Sequence, residues 1–454
     1  MLISINPSDS KIIREYTEYS DEKVTEIIAG AESAFEKWKE ISFGKRSRLM
    51  KNAAEVLRKR KDELAGLMTL EMGKPINQSF AEVEKCAWVC DYYAENGEKF
   101  LEDEIVKTDA SKSFITCQPL GVILAIMPWN FPFWQVFRFA APGLMAGNTG
   151  LLKHSSNVSG CALAIENIFT DAGFPKGVFT TLLIGSKKVE GVIYHKSIKG
   201  VTLTGSTPAG ISVATAAVKV LKKVVLELGG SDPYIILEDA DLEAAADSCT
   251  TARLLNGGQS CIAAKRFIVV EPVYEKFVKL FYEKMKAKRM GDPMDGTNDL
   301  GPQAREDLRD ELHQQVKLSQ ELGAKIILGG EIPGGEGAYY PPTILVNVSR
   351  GMPAYHEELF GPVASVIKVK DEAEAIKTAN DTVFGLGAAV FTKDVKRGEE
   401  IARNKIEAGS CFVNAFVKSD PRLPFGGVKE SGFGRELSLY GIKEFVNIKT
   451  VYIK

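Results

Sequence analysis

Gly200-Val201-Thr202-Leu203-Thr204-Gly205-Ser206-Thr207-Pro208-Ala209-Gly210 is an apolar run, a glycine turn and the opening of a helix. The run 200–203 predicts a strand, and a helix follows from Gly210. The same alternation lies upstream. Apolar runs at 122–126, 149–152 and 179–183 are separated by helical patterns at 136–145 and 160–169. Short apolar runs alternating with helical periodicity predict an α/β fold with a parallel sheet and crossover helices. The pattern restarts after Glu227, with strands at 234–237 and 266–270 and helices at 242–255 and 273–289. A second α/β domain from about residue 228 is the natural division.

Outside these runs, the first hundred residues read as helix. Val24, Ile27, Ile28, Ala31, Phe35 and Trp38 follow helical spacing, with Ser20 as N-cap, and a further helical run over 46–70 stops at Gly73-Lys74-Pro75. Residues 106–118 and the end of the chain from Phe445 have strand character and fit neither domain. Such strands must be paired or they stay exposed as adhesive edges, so an oligomer built across them is expected, with pairing inside one chain as the alternative.

The chain has 454 residues, 45% of them hydrophobic, enough for two or three domains. Its 57 basic and 59 acidic residues give a net charge of -2 with no basic block, which argues against nucleic acid as a partner. No apolar stretch approaches the roughly 20 residues of a membrane helix, and no secretory pattern opens the sequence. Seven cysteines at irregular spacings do not form a disulfide framework, so a cytoplasmic setting is expected. Cys86 and Cys90 sit four apart on a helix, but four histidines and no second pair leave no metal site in view.

Four stretches point to chemistry. Asn256-Gly257-Gly258-Gln259-Ser260-Cys261-Ile262-Ala263-Ala264-Lys265-Arg266 sets a cysteine in a polar turn followed by two cations. Cationic surroundings lower a thiol below its usual value of about 8.5, so an activated nucleophile is expected; core packing is the plainer alternative. Glu227, in Val224-Val225-Leu226-Glu227-Leu228, is a carboxylate in a run too apolar for the surface, where burial would raise its pKa toward a general base. Asn130, in Pro128-Trp129-Asn130-Phe131-Pro132, could donate to a developing oxyanion or bond its own backbone. The turn at Gly205 and Ser206 suits a pyrophosphate at a helix N-terminus, although the strict dinucleotide fingerprint is absent.

Together these stretches resemble the aldehyde dehydrogenase superfamily over essentially the whole length. Glu358-Leu359-Phe360-Gly361-Pro362 and Pro424-Phe425-Gly426-Gly427 complete the set of matching motifs. Within it, the segment 127–139, Leu151-Leu152-Lys153-His154 and Lys418-Ser419-Asp420-Pro421-Arg422 look most like the short bacterial succinate-semialdehyde dehydrogenases. The resemblance implies a Rossmann-like cofactor domain over 1–105 and 119–227, a catalytic α/β domain over 228–429, and a small β oligomerisation arm from 106–118 and 430–454. It implies that Cys261 attacks the aldehyde, that Asn130 and the Cys261 N–H hold the oxyanion, and that Glu227 activates the water that hydrolyses the thioester. Trp129, Lys153, Ser156, Gly185, Gly205, Ser206, Leu228, Glu358 and Phe360 would bind the cofactor. Trp134, Arg138 and Ser419 would meet the substrate, with Arg138 on the remote carboxylate of a semialdehyde. A homodimer or homotetramer is implied.

Several positions depart from the wider pattern. Ser156 stands where many NAD-preferring relatives have a Glu; a Ser can donate to a 2′-phosphate that a carboxylate would repel, so NADP is expected to be preferred and NAD accepted. Leu255 replaces a second arginine, so short neutral or hydroxy aldehydes are the alternative substrates. Phe139 replaces a lysine, and Ala263 removes the second cysteine of a local disulfide switch. A thiol acyltransferase would need a base such as His beside Cys261, and a CoA-acylating enzyme would not need Glu227.

Overall fold

The computed structural model describes residues 1–454. Two sheets organise it. The first runs in the order Gly432–Phe433, Lys223–Glu227, Ile198–Thr204, Val122–Met127, Thr149–His154, Phe179–Thr181. All its pairings are parallel except the one made by Gly432–Phe433. Val122–Met127 is a continuous apolar run buried at all but one position, as a strand covered on both faces requires. Trp134–Met145 and Ser159–Asp171 are its crossover helices.

The order of these strands creates the site. The chain steps outward from Val122–Met127 through Thr149–His154 to Phe179–Thr181, then returns to the opposite side with Ile198–Thr204. Chain direction therefore reverses between Val122–Met127 and Ile198–Thr204, and a crevice opens beyond their carboxyl ends. Register lines up what those ends hold. Ile126 pairs with Lys153 on one side and Leu203 on the other, and Thr204 pairs with Glu227.

The second sheet has seven strands, in the order Lys325–Leu328, Thr343–Val346, Val363–Val369, Arg266–Val270, Pro233–Ile236, Gly387–Phe391, Ser410–Val413. Only Lys325–Leu328 runs antiparallel to its neighbour. The predicted α/β alternation thus holds on both sides of residue 228.

Three expectations need correction. The N-terminus is not all helix: Leu2–Ile5 and Ile12–Tyr16 form an antiparallel pair before the Asp21–Trp38 helix, which Ser20 caps through Lys23 N at 3.2 Å. The pair hides from a hydrophobic pattern because its inward residues include Ser4, bonded to the buried Glu71, while Ile3 and Ile5 face out. The helical run over 46–70 is two helices, Phe43–Lys59 and Lys61–Met72, separated at Arg60; the stop at left-handed Gly73 is as expected. The arm is smaller than 106–118 plus 430–454. Lys112–Pro119 pairs with Val446–Ile453 and Glu104–Ile105 inside one chain, but Gly432–Phe433 joins the first sheet beside Glu227. Ile105, Ile448, Tyr452 and Ile453 stay exposed on the arm. No helix is long and apolar enough to cross a membrane.

Candidate active site

Two cavities meet at one sulfur. The larger, about 570 Å³, occupies the crevice and is lined by Trp129, Asn130, Ser206, Leu228, Glu358 and Phe360, with Gly205 beside them. The smaller, about 300 Å³, lies among Trp134, Arg138 and Ser419. Cys261 and Gln135 line both.

The turn that presents Cys261 is built from left-handed backbone. Asn256, Gly257 and Gly258 have φ of 56°, 60° and 75° in succession. Asparagine and glycine are the residues that reach this region at least cost. At Gly258 a Cβ would fall 2.2 Å from the Gly361 carbonyl oxygen, so no larger residue fits. The Asn256 amide donates to the carbonyls of Asn130, at 2.7 Å, and Gln259, at 3.0 Å. Gln78 of the Ile76–Phe100 helix accepts from Asn256 N at 2.7 Å.

Asn130 is also fixed. Its Nδ2 donates to the Gln259 carbonyl at 3.1 Å, which commits one N–H and leaves the second to face a ligand. The Cys261 backbone N–H has no acceptor within the protein. The Asn130 turn is braced from two sides. Glu82, ion-paired with buried Lys74, accepts from Phe133 N and Trp134 N at 2.9 Å each, at the start of the Trp134–Met145 helix. His154 accepts from Ser155 N through Nδ1 and donates from Nε2 to the Pro132 carbonyl at 2.8 Å. Burial pushes its imidazole down to about 4, so the ring is neutral.

The two cations after Cys261 do not activate it. Arg266 opens a buried strand and donates to the carbonyls of Ser231, Thr378 and Ala379. Lys265 donates to the carbonyls of Ser260, Cys261 and Ala263 and lies 3.4 Å from Glu358. Burial outweighs both Arg138 and Lys265 and pushes the Cys261 thiol up to about 12. In the free protein the resting form is the thiol.

Glu227 ends its strand fully buried, and neither carboxylate oxygen has a hydrogen-bond partner. It lines neither cavity. Its carboxyl is turned toward Gly426, where a Cβ would lie 2.7 Å from Oε1. Burial, and then the charge of Glu436, raises it well above the ordinary carboxylate range. Arg138 opposes that rise. Its guanidinium is ion-paired with Glu436, donates to Thr204 Oγ1 at 3.2 Å and stacks over Phe425 at 4.5 Å.

The larger cavity fits a dinucleotide on its own features. Ser206 precedes the Thr207–Lys219 helix and makes no side-chain cap, so the first-turn N–H groups and the hydroxyl are open to a phosphate. Gly229 leaves room for Glu358, whose Oε2 would lie 2.5 Å from a Cβ there; Glu358 Oε1 accepts from Gly230 N. Trp129 and Phe360 meet edge to face at 5.7 Å. Lys153, Ser156 and Gly185 lie outside the enclosed volume: Lys153 is near the end of the Thr149–His154 strand, and Ser156 and Gly185 lie beyond the carboxyl ends of that strand and of Phe179–Thr181. Gly185 N donates to Glu18. Sequence reasoning missed Gln78, Lys85, Gln135 and Glu436. The signal for the first two was the spacing of Asn77, Gln78, Glu82 and Lys85 along one helix, a polar stripe beside the buried Cys86 and Cys90.

A switch-point crevice opening onto a cysteine, with an amide donor beside it, is the arrangement of a nucleotide-dependent oxidoreductase that works through a thiol. Residues 2–451 match the family described as "Aldehyde dehydrogenase family", and the chain belongs to it. It is 52% identical to a probable succinate-semialdehyde dehydrogenase [NADP(+)] of Synechocystis sp., over 100% of this chain and 99% of that one. It is 47% identical to a succinate semialdehyde dehydrogenase [NAD(P)+] of Escherichia coli, covering 99% and 97%. The crystal structure of succinic semialdehyde dehydrogenase from Streptococcus pyogenes in complex with NADP+ superimposes with a TM-score of 0.98 at 37% identity, covering all of both chains.

Proposed function

We propose that the chain oxidises succinate semialdehyde to succinate with NADP as the preferred hydride acceptor and NAD as an accepted one. The names of its close relatives and Ser156 in place of a carboxylate support this reading. The observation that carries it is Cys261 shared between a dinucleotide-sized crevice and a smaller cavity that holds unpaired positive charge.

Cys261 gives up its thiol proton to water, its Sγ adds to the aldehyde carbon, and the resulting oxyanion takes the free N–H of Asn130 and the backbone N–H of Cys261. Loss of hydride, with its electron pair, from that carbon leaves a thioester on Sγ. Glu227 swings from Gly426 toward the thioester, takes a proton from water as it adds, and the thiolate departs with release of the acid. When bound, an oxidised nicotinamide would supply the hydride acceptor. Trp129, Gly205, Ser206, Leu228, Glu358 and Phe360 would hold that group, with Lys153, Ser156 and Gly185 toward its adenosine end. Trp134, Arg138 and Ser419 would line the aldehyde's path. The exposed apolar residues of the arm support a homodimer or homotetramer, which light scattering on the purified protein decides.

The functional test is reduced-nicotinamide absorbance with succinate semialdehyde and butanal, each with NADP and NAD, with and without CoA. Turnover independent of CoA, with kcat/KM highest for succinate semialdehyde and NADP, is expected. Equal kcat/KM for both aldehydes overturns the substrate reading.

A further inference from the structure

Three cations line the smaller cavity: Lys85, Arg138 and Lys418. Arg138 is neutralised by Glu436, and Lys418 is exposed to solvent. The cavity's one carboxylate, Glu82, is already occupied by Lys74 and two backbone N–H groups. Lys85 is half-buried and has no carboxylate partner. Its ammonium touches only the Ser419 hydroxyl, at 2.8 Å, and the Trp134 ring, at 4.2 Å. Burial and the nearby Arg138 pull it down to about 8, and the more distant carboxylates of Glu82 and Asp420 offset this only in part.

Ser419 reports what is missing. Its oxygen accepts from Lys85 Nζ and, at 3.0 Å, from Trp134 Nε1. Both of those groups can only donate. The Ser419 hydroxyl proton therefore has no role in this triad and is left to donate to something else. An ammonium and a hydroxyl, both donors and adjacent in the cavity that contains Cys261, make a receptor for an anion. Helix geometry places the receptor in relation to the nucleophile. Gln78 bonds the turn of Cys261, and Lys85 lies seven residues on, about 10 Å along the axis of the same helix.

We propose that Lys85 Nζ and the Ser419 hydroxyl together bind the remote carboxylate of the substrate, supplying the charge that Leu255 does not. The inference rests on the succinate-semialdehyde reading and assigns the residue that selects for it. Arg138, already paired, orients groups beneath the cavity.

The test compares wild type, Lys85→Met and Lys85→Arg by kcat/KM for succinate semialdehyde and for butanal with NADP. Lys85→Met is expected to lower the ratio of the two by more than about tenfold, through KM for the semialdehyde, and Lys85→Arg to keep most of the ratio. A ratio that moves less than that in Lys85→Met, or that falls alike in both variants, overturns the inference while the substrate reading stands. A wild-type enzyme with no preference between the two aldehydes overturns the substrate reading and the inference with it.

Discussion

Arg138 and Glu436 form an ion pair whose side chains are 2% and 5% exposed, between the aldehyde cavity and the carboxyl of Glu227. Glu436 raises the Glu227 carboxyl and Arg138 opposes that rise. Arg138→Met leaves Glu436 buried without a partner. Removing one member of a buried pair costs about 3–5 kcal/mol, read by urea unfolding. Turnover is expected to fall for succinate semialdehyde and butanal alike, because the affected group serves both. A loss confined to the acidic aldehyde would instead make Arg138 the carboxylate anchor.

The Cys261 thiol, pushed up to about 12, predicts slow alkylation of the free protein. At neutral pH iodoacetamide should modify Cys261 at least about a hundredfold more slowly than a free cysteine of ordinary pKa. The rate should still be climbing at pH 10. Peptide mapping separates Cys261 from Cys117 and Cys411, the other cysteines that are not fully buried. A plateau below pH 8 would mean that Lys265 and Arg138 dominate the thiol after all.

That reversal shows where the sequence stops being legible. Strands such as Val122–Met127 were plain because a buried parallel strand is a continuous apolar run. The motifs around Asn130, Glu227 and Cys261 were plain because their residue types are unusual in such settings. Composition does not give direction, however. Lys265 and Arg266 follow Cys261 in sequence, yet one folds back on three carbonyls and the other enters a strand pointing away. Lys85 was hidden for the same reason. Its helix read as core through Cys86 and Cys90, and only tertiary packing shows that its neighbouring face meets Ser419, 334 residues further on. The link between Asn256 and Asn130 joins turns 126 residues apart and leaves no local trace.

Glu227→Gln should separate the two halves of the reaction. A glutamine cannot accept the proton of the attacking water, so steady-state turnover is expected to drop by about 10²–10⁴-fold. A stoichiometric burst of reduced nucleotide should survive and report trapped thioester. Stability should move the other way. The folded carboxyl is raised above its unfolded value, so the folded state binds the proton more tightly. Wild-type stability is then fully present below the ordinary carboxylate range and is lost as pH rises through the raised value. The variant lacks this loss, and its Tm advantage over wild type should widen with pH. A gap that is flat with pH would show that the carboxyl titrates normally.

In the proposed function cofactor choice is set at Ser156, which opens a short 3-10 turn directly after the strand that ends with Lys153 and His154. The Ser156 side chain is exposed, and Lys153 nearby is a cation that burial pulls below its usual range. A bound 2′-phosphate would restore charge balance there, whereas a glutamate at 156 would itself pair with Lys153 and repel the phosphate. Ser156→Glu is therefore expected to lower kcat/KM for NADP by more than about tenfold relative to NAD, the scale of one lost charge-assisted contact. The change should appear in KM for the cofactor, with kcat on NAD retained, because the turn is remote from Cys261 and lines neither cavity. A ratio of specificity constants that does not move would mean that phosphate recognition is set elsewhere on the carboxyl edge of the first sheet.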